Sequence, residues 1–140
     1  MTANRIKKAV VFDSNTLLSS ILRAGSVSEQ AFIKAINYDE LYFSDETWQE
    51  LVEVVHQPKF SKYFQPHQVN YLLETLARIG IFVKVTQAIV ACRDPKDDKF
   101  LSLAIAVQAT IIVSDDKDLL VLHPFRGIDI LTAAEFLTVN

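Results

Sequence analysis

Ala9-Val10-Val11-Phe12-Asp13-Ser14-Asn15 decides the fold: four apolar residues, β-branched at their centre, run directly into an acid and two small polar residues. A short unbroken apolar run suits a strand buried on both faces, and its abrupt polar end suits the carboxyl edge of a parallel sheet. Four further runs repeat the pattern, namely Leu41-Tyr42-Phe43, Ile81-Phe82-Val83, Ile111-Ile112-Val113 and Ile128-Asp129-Ile130-Leu131. Five strands are expected, alternating with helical patterns, which predicts an α/β chain whose parallel sheet is covered on both faces.

Between the strands, Ser26 with Glu29 and Thr132 with Glu135 have capping-box spacing ahead of apolar-periodic stretches, marking two helix starts. Trp48, Leu51, Val52 and Val55 recur at i, i+3, i+4 and i+7, while Pro66 opens and Gly80 closes a stretch carrying Val69, Leu72, Leu73 and Leu76. Two more helices are expected there. Pro95 begins another, apolar nearly all round as far as Gln108 and therefore expected between other elements.

With 140 residues and 50% hydrophobic content, one domain over residues 1–140 is expected, burying roughly two-thirds of the surface its unfolded chain exposes. Lone Cys92 excludes an internal disulfide, and the residues after Lys7 and Lys8 do not resemble a secretory signal, so a reducing cytoplasm is the expected location. The apolar run from Leu103 is interrupted by Gln108 and Thr110, short of the about 20 residues a membrane span needs. A formal net charge of −3 is not the footprint of a protein that holds nucleic acid by bulk electrostatics. The acids are concentrated, however: Asp94, Asp97, Asp98, Asp115, Asp116 and Asp118 belong to one stretch, where a bound cation reverses the local sign.

In an open parallel sheet, ligands bind beyond the carboxyl ends of the strands. Asp13-Ser14-Asn15 follows the first strand, Ser114-Asp115-Asp116-Lys117-Asp118 follows the fourth, Glu50 lies on the helix after the second, and Asp94 to Asp98 lead into the helix before the fourth. Asp98 shares a face with Leu101, Ser102 and Ile105, so its carboxylate must be paired, hydrogen-bonded or cation-bound. Each acid also has a plain alternative. Asp94 or Asp97 suits a helix cap, Asp13 a strand-ending turn with Asn15 or Thr16 as the cap that follows, and Asp116 with Asp118 a polar turn. Glu50 is not distinguished from Glu46 or Glu53 by periodicity. Carboxylates gathered at neighbouring strand ends repel unless a cation lies among them, and oxygen-only ligands select Mg²⁺ or Mn²⁺. His56, His67 and His123 show no zinc-ligand spacing.

These residues resemble the PIN-domain family over nearly the whole chain, and more closely its branch of VapC-like toxin components with a D-P-x-D-D-K-F-L segment. Val10 to Asn15 matches the opening motif; Ser44, Thr47 and Glu50-Leu51 through Val54-Val55 and Pro58-Lys59-Phe60 match the second block. Arg93 to Leu101 is the most specific segment, and Ile112 to Leu119 the fourth. The resemblance implies a three-layer α/β/α sandwich on a five-stranded parallel sheet. It further implies an acidic quartet of Asp13, Glu50, Asp98 and Asp116, with Asn15 and Ser114 in support and Asp118 as a further member. Ser14 stands where Thr is commoner, and Asp115 leaves the register of the last acid open between Asp115 and Asp116.

The chemistry implied is hydrolysis of RNA phosphodiesters with Mg²⁺ or Mn²⁺, held directly by Asp13 and Asp98, while Glu50 and Asp116 hold its waters or a second ion. Single-stranded or looped RNA is the expected substrate, leaving 5′-phosphate and 3′-hydroxyl ends. Lys96, Lys99 and Lys117 are candidate phosphate contacts. An antitoxin partner and a homodimer follow from the same resemblance, with Phe60, Tyr63 and Phe64 as a candidate exposed patch. Two rivals are a phosphatase or phosphotransferase with Asp13 as nucleophile, disfavoured because Asn15 stands where a second acid is needed, and a non-catalytic module with an acidic pocket.

Overall fold

The computed structural model describes residues 6–139. Its strands are β1 (Ala9–Phe12), β2 (Glu40–Phe43), β3 (Ile81–Phe82), β4 (Ile111–Val113) and β5 (Asp129–Leu131). All neighbours pair in parallel, in the order β3-β2-β1-β4-β5. Helices α1 (Ser14–Leu22), α2 (Val27–Tyr38), α3 (Asp45–Val55), α4 (Pro58–Ser61) and α5 (Pro66–Ile79) precede β3. A 3₁₀ turn at Pro95–Asp97 leads into α6 (Asp98–Ala106), followed by α7 (Lys117–Leu120) and α8 (Ala133–Leu137).

Alternation along the strands builds two cores. Val10, Phe12, Ile111 and Val113 face the layer of α1, α2, α3, α5 and α8, where Leu17, Leu18, Ala31, Leu51, Leu76 and Phe136 pack. Val11 and Ile112 face the opposite layer, with Phe100, Leu101, Leu103 and Leu119 from α6 and α7. The chain is therefore the three-layer α/β/α sandwich that the resemblance implies, on the five-stranded parallel sheet that the apolar runs predict. Phe60 and Phe64 pack against the first core, so of that apolar group only Tyr63 is largely exposed, at 63%.

Helix ends follow the capping signals. Ser26 accepts from the Glu29 N–H at 3.1 Å, and Thr132 and Glu135 form a reciprocal box. The cap of α1 is Asp13 itself, accepting from the Thr16 N–H at 2.7 Å, in place of the expected Asn15 or Thr16. Gly80 ends α5 for want of space: a Cβ there would lie 2.6 Å from the Phe43 ring, which stacks on Phe82 and meets Trp48 edge to face. No helix among the described residues is long and apolar enough to cross a membrane.

Strand order sets the site. The chain leaves β1 toward β2 on one side and later returns to β4 on the other, so the crevice beyond their carboxyl ends is the point where connections diverge. Register pairs Phe12 with Val113, which puts Asp13 beside Ser114.

Candidate active site

Asp13 emerges from β1 with 5% exposure. Its Oδ1 accepts from Thr16 N–H, its Oδ2 accepts from the Ser114 hydroxyl, and Ser114 Oγ in turn accepts from the Asp116 N–H at 3.0 Å. Ser114 is fully buried and joins the acids of β1 and β4 through one hydroxyl. Burial pushes the Asp13 carboxyl above its ordinary value, as does the nearby Asp116 charge, against the lowering effect of the Ser114 and Thr16 bonds.

Glu50 differs from Glu46 and Glu53 in its partners. Ser14 Oγ donates to Glu50 Oε2 at 2.6 Å, and Lys99 Nζ donates to Glu50 Oε1 at 2.7 Å. Three elements, α1, α3 and α6, are thus tied at one carboxylate.

The structure brings Asp13, Asn15, Glu50 and Asp116 around one small cavity of about 70 Å³, and the aspartate that joins them is Asp97. This departs from the expectation at Asp98. Asp98 Oδ1 accepts from the backbone N–H groups of Ala91 at 3.0 Å and Cys92 at 2.7 Å. Ser102, one turn later, accepts from the Ile89 N–H at 2.9 Å, so both side chains anchor the segment after β3 to α6. Burial by itself raises the Asp98 carboxyl, but the two N–H donors prevail and hold it below the usual carboxylate range. Its burial, read correctly from the helical face, is satisfied by hydrogen bonds.

Asp97 stands at the end of the 3₁₀ turn and makes no side-chain cap to α6. Its Oδ2 is the one buried side-chain oxygen among the described residues without a hydrogen-bond partner. Burial first, then the charge of Asp116 and a hydrogen bond shared with its carboxylate, and then the charges of Asp94 and Asp13, push its carboxyl up to about 7. Carboxyl oxygens of Asp94, Asp97 and Asp118 also lie within 4.8 Å of one another. Asp94 caps the turn at the Lys96 N–H, and Asp118 pairs with Arg93 at 2.9 Å. Asp116 caps α7 at the Asp118 N–H and lines both this cavity and a neighbouring one, whereas exposed Asp115 lines only the neighbour.

This donor set fits a hard divalent cation. It consists of oxygens, it contains a buried carboxylate oxygen with no donor, and its acids raise one another's proton affinity in the metal-free state. About 70 Å³ has room for an ion with a few waters, and not for a nucleotide. Of the candidate phosphate contacts, Lys96 and Lys99 both line a wider cleft of about 420 Å³ that shares Glu50 and Val54, with Lys99 engaged by Glu50, and Lys117 is exposed at the start of α7.

Residues 9–118 match the family model for the PIN domain. The uncharacterised protein MJ1680 of Methanocaldococcus jannaschii is 27% identical over 125 residues, covering 85% of this chain and 77% of that protein. The fold is shared with the crystal structure of VapBC2 from Rickettsia felis bound to a DNA fragment from its promoter. That match has a TM-score of 0.59 and 12% identity over 89% of this chain and 98% of the other.

Proposed function

This chain belongs to the PIN-domain family, and from that premise we propose that it is a divalent-cation-dependent endoribonuclease and the toxin of a toxin–antitoxin pair. The observation that carries the reading is the convergence of Asp13, Glu50, Asp97 and Asp116 on one cavity, with Asp97 Oδ2 lacking any donor. The family and fold support a nuclease in general; RNA as substrate rests on the sequence resemblance, and a cytoplasmic setting on lone Cys92 and the residues that follow Lys7 and Lys8. An antitoxin partner draws support from the complexed state of the Rickettsia felis relative.

Asp13, Asp97 and Asp116 would hold the cation, with Asp97 in the role that the motif alone assigns to Asp98. Bound there, Mg²⁺ or Mn²⁺ would neutralise charge on the scissile phosphate and make a water more acidic. The chain's own part is preorganisation. Ser114 fixes Asp13 and the backbone of Asp116 relative to each other, and Ser14 with Lys99 fixes Glu50 at the rim, where its carboxylate orients the attacking water. In-line attack by water breaks the bond from phosphorus to the 3′ oxygen, leaving 3′-hydroxyl and 5′-phosphate ends. Asp13 as a nucleophile is disfavoured, because Thr16 and Ser114 hold both its oxygens at the cavity wall by hydrogen bonds, which leave a lone pair for a cation but oppose the movement that attack on phosphorus requires.

Incubation with single-stranded RNA tests the proposal. Cleavage in Mg²⁺ or Mn²⁺, its loss in EDTA, and 5′-phosphate ends are expected. Activity that persists in excess chelator, or cyclic-phosphate ends, overturns it.

A further inference from the structure

We propose that Lys99 is a positioning residue of the acid cavity, which fixes Glu50 at the rim and tempers the cavity's affinity for divalent cations. The inference rests on the nuclease reading above and adds to it a residue that lines the wider cleft but not the small acid cavity.

Lys99 Nζ donates to Glu50 Oε1 at 2.7 Å and to the Lys96 carbonyl at 2.7 Å. Lys96 belongs to the Pro95–Asp97 turn. One ammonium therefore ties the acid on α3 to the turn that presents Asp97, across 49 residues of chain. Side-chain exposures of 20% and 22% shield the pair from solvent, unlike Arg93 and Asp118, where the arginine is 87% exposed. A shielded pair with two acceptors on one ammonium has a defined geometry, and its charge is felt by nearby carboxylates. Lys99 lines the same cleft as Lys96, but two of its three hydrogens are committed to Glu50 and the Lys96 carbonyl, so exposed Lys96 is the freer of the two for a substrate phosphate.

Two consequences separate this role from simple packing. Loss of the ammonium makes the cavity more negative, so cation binding tightens. Glu50 keeps Ser14 as a partner but loses the bond that orients its other oxygen, so turnover falls.

The test is Mn²⁺ titration by calorimetry without RNA, together with kcat and KM on RNA at saturating Mn²⁺, for the parent, Lys99→Met, Lys99→Gln and Lys99→Arg. Lys99→Met is expected to bind Mn²⁺ on the order of tenfold more tightly, with kcat reduced about tenfold or more and KM within about threefold. Lys99→Gln, which keeps hydrogen bonding without charge, should tighten Mn²⁺ binding and retain more of kcat; it carries the test should the methionine variant not fold. Lys99→Arg should restore both quantities toward the parent. Unchanged or weaker Mn²⁺ binding in the neutral variants overturns the proposal, as does a raised KM with kcat held, the signature of a phosphate contact. A parent that neither binds Mn²⁺ nor cleaves RNA contradicts the nuclease reading itself, whereas an active, metal-binding parent matched by its neutral variants contradicts only the role of Lys99.

Discussion

Asp97 and Asp98 are neighbours in sequence but serve different surfaces: Asp98 Oδ1 is held by the N–H groups of Ala91 and Cys92, while Asp97 lines the cavity of Asp13, Glu50 and Asp116 with one oxygen unpartnered. The 3₁₀ turn opened by Pro95 ends at Asp97 and α6 starts at Asp98, so the two side chains leave the backbone from different helical frames. Asp98 is therefore read as an anchor and Asp97 as the acid of the site.

Asp98→Ala should lower stability by about 1–3 kcal/mol in urea denaturation, because two N–H groups lose a charged acceptor. Asp98→Asn, which retains an acceptor at Oδ1, should cost less. The folded carboxyl titrates below its ordinary value, so its contribution is present above the unfolded pKa and lost as pH falls through the folded one. The gap between parent and Asp98→Ala should accordingly shrink in acid. An alanine variant as stable as the parent at neutral pH contradicts the anchor role.

Asp97 has the opposite sign. A folded value pushed up to about 7 means that the folded state holds its proton more tightly than the unfolded chain does. The associated stability is present below the unfolded pKa and lost as pH rises through about 7. Metal-free parent should therefore lose melting temperature relative to Asp97→Asn between pH 5 and pH 8, and thermal melts in EDTA at the two values measure this. Parallel behaviour of the two proteins across that window contradicts the assignment.

Ser114→Ala removes a fully buried hydroxyl that serves Asp13 Oδ2 and the Asp116 N–H together. A destabilisation of about 1–3 kcal/mol is expected, accompanied by weaker Mn²⁺ binding, since Asp13 and Asp116 lose their common fixture. Chemical denaturation and metal titration of the same variant check both; a stability loss with unchanged metal affinity separates Ser114 from the site.

Much of this arrangement is legible in the sequence where one physical signal acts alone. The buried strands β1 and β4 appear as unbroken apolar runs because helices cover both faces, and Ser26 and Thr132 mark helix starts because their side chains answer local N–H groups. Asp13 and Asp116 are expected just beyond the ends of β1 and β4, and both lie there and line one cavity, because strand ends fix their place. Asp98 is misread because helical periodicity correctly reports burial but not what satisfies it, and the N–H groups of Ala91 and Cys92 come from a segment without periodic pattern. Asp97 is masked by its suitability as a cap, a bond it does not make. The choice of Glu50 over Glu46 and Glu53 depends on Ser14 and Lys99, which only the tertiary fold brings near.

Mn²⁺ binding to Asp97→Asn and Asp98→Asn, measured side by side with the parent at pH 8, tests the central assignment most directly. Asp97→Asn should lose on the order of tenfold or more in affinity, as expected when a carboxylate ligand to a divalent ion is neutralised, while Asp98→Asn stays close to the parent. Retained affinity in Asp97→Asn together with its loss in Asp98→Asn would contradict the account and return the third acid to Asp98.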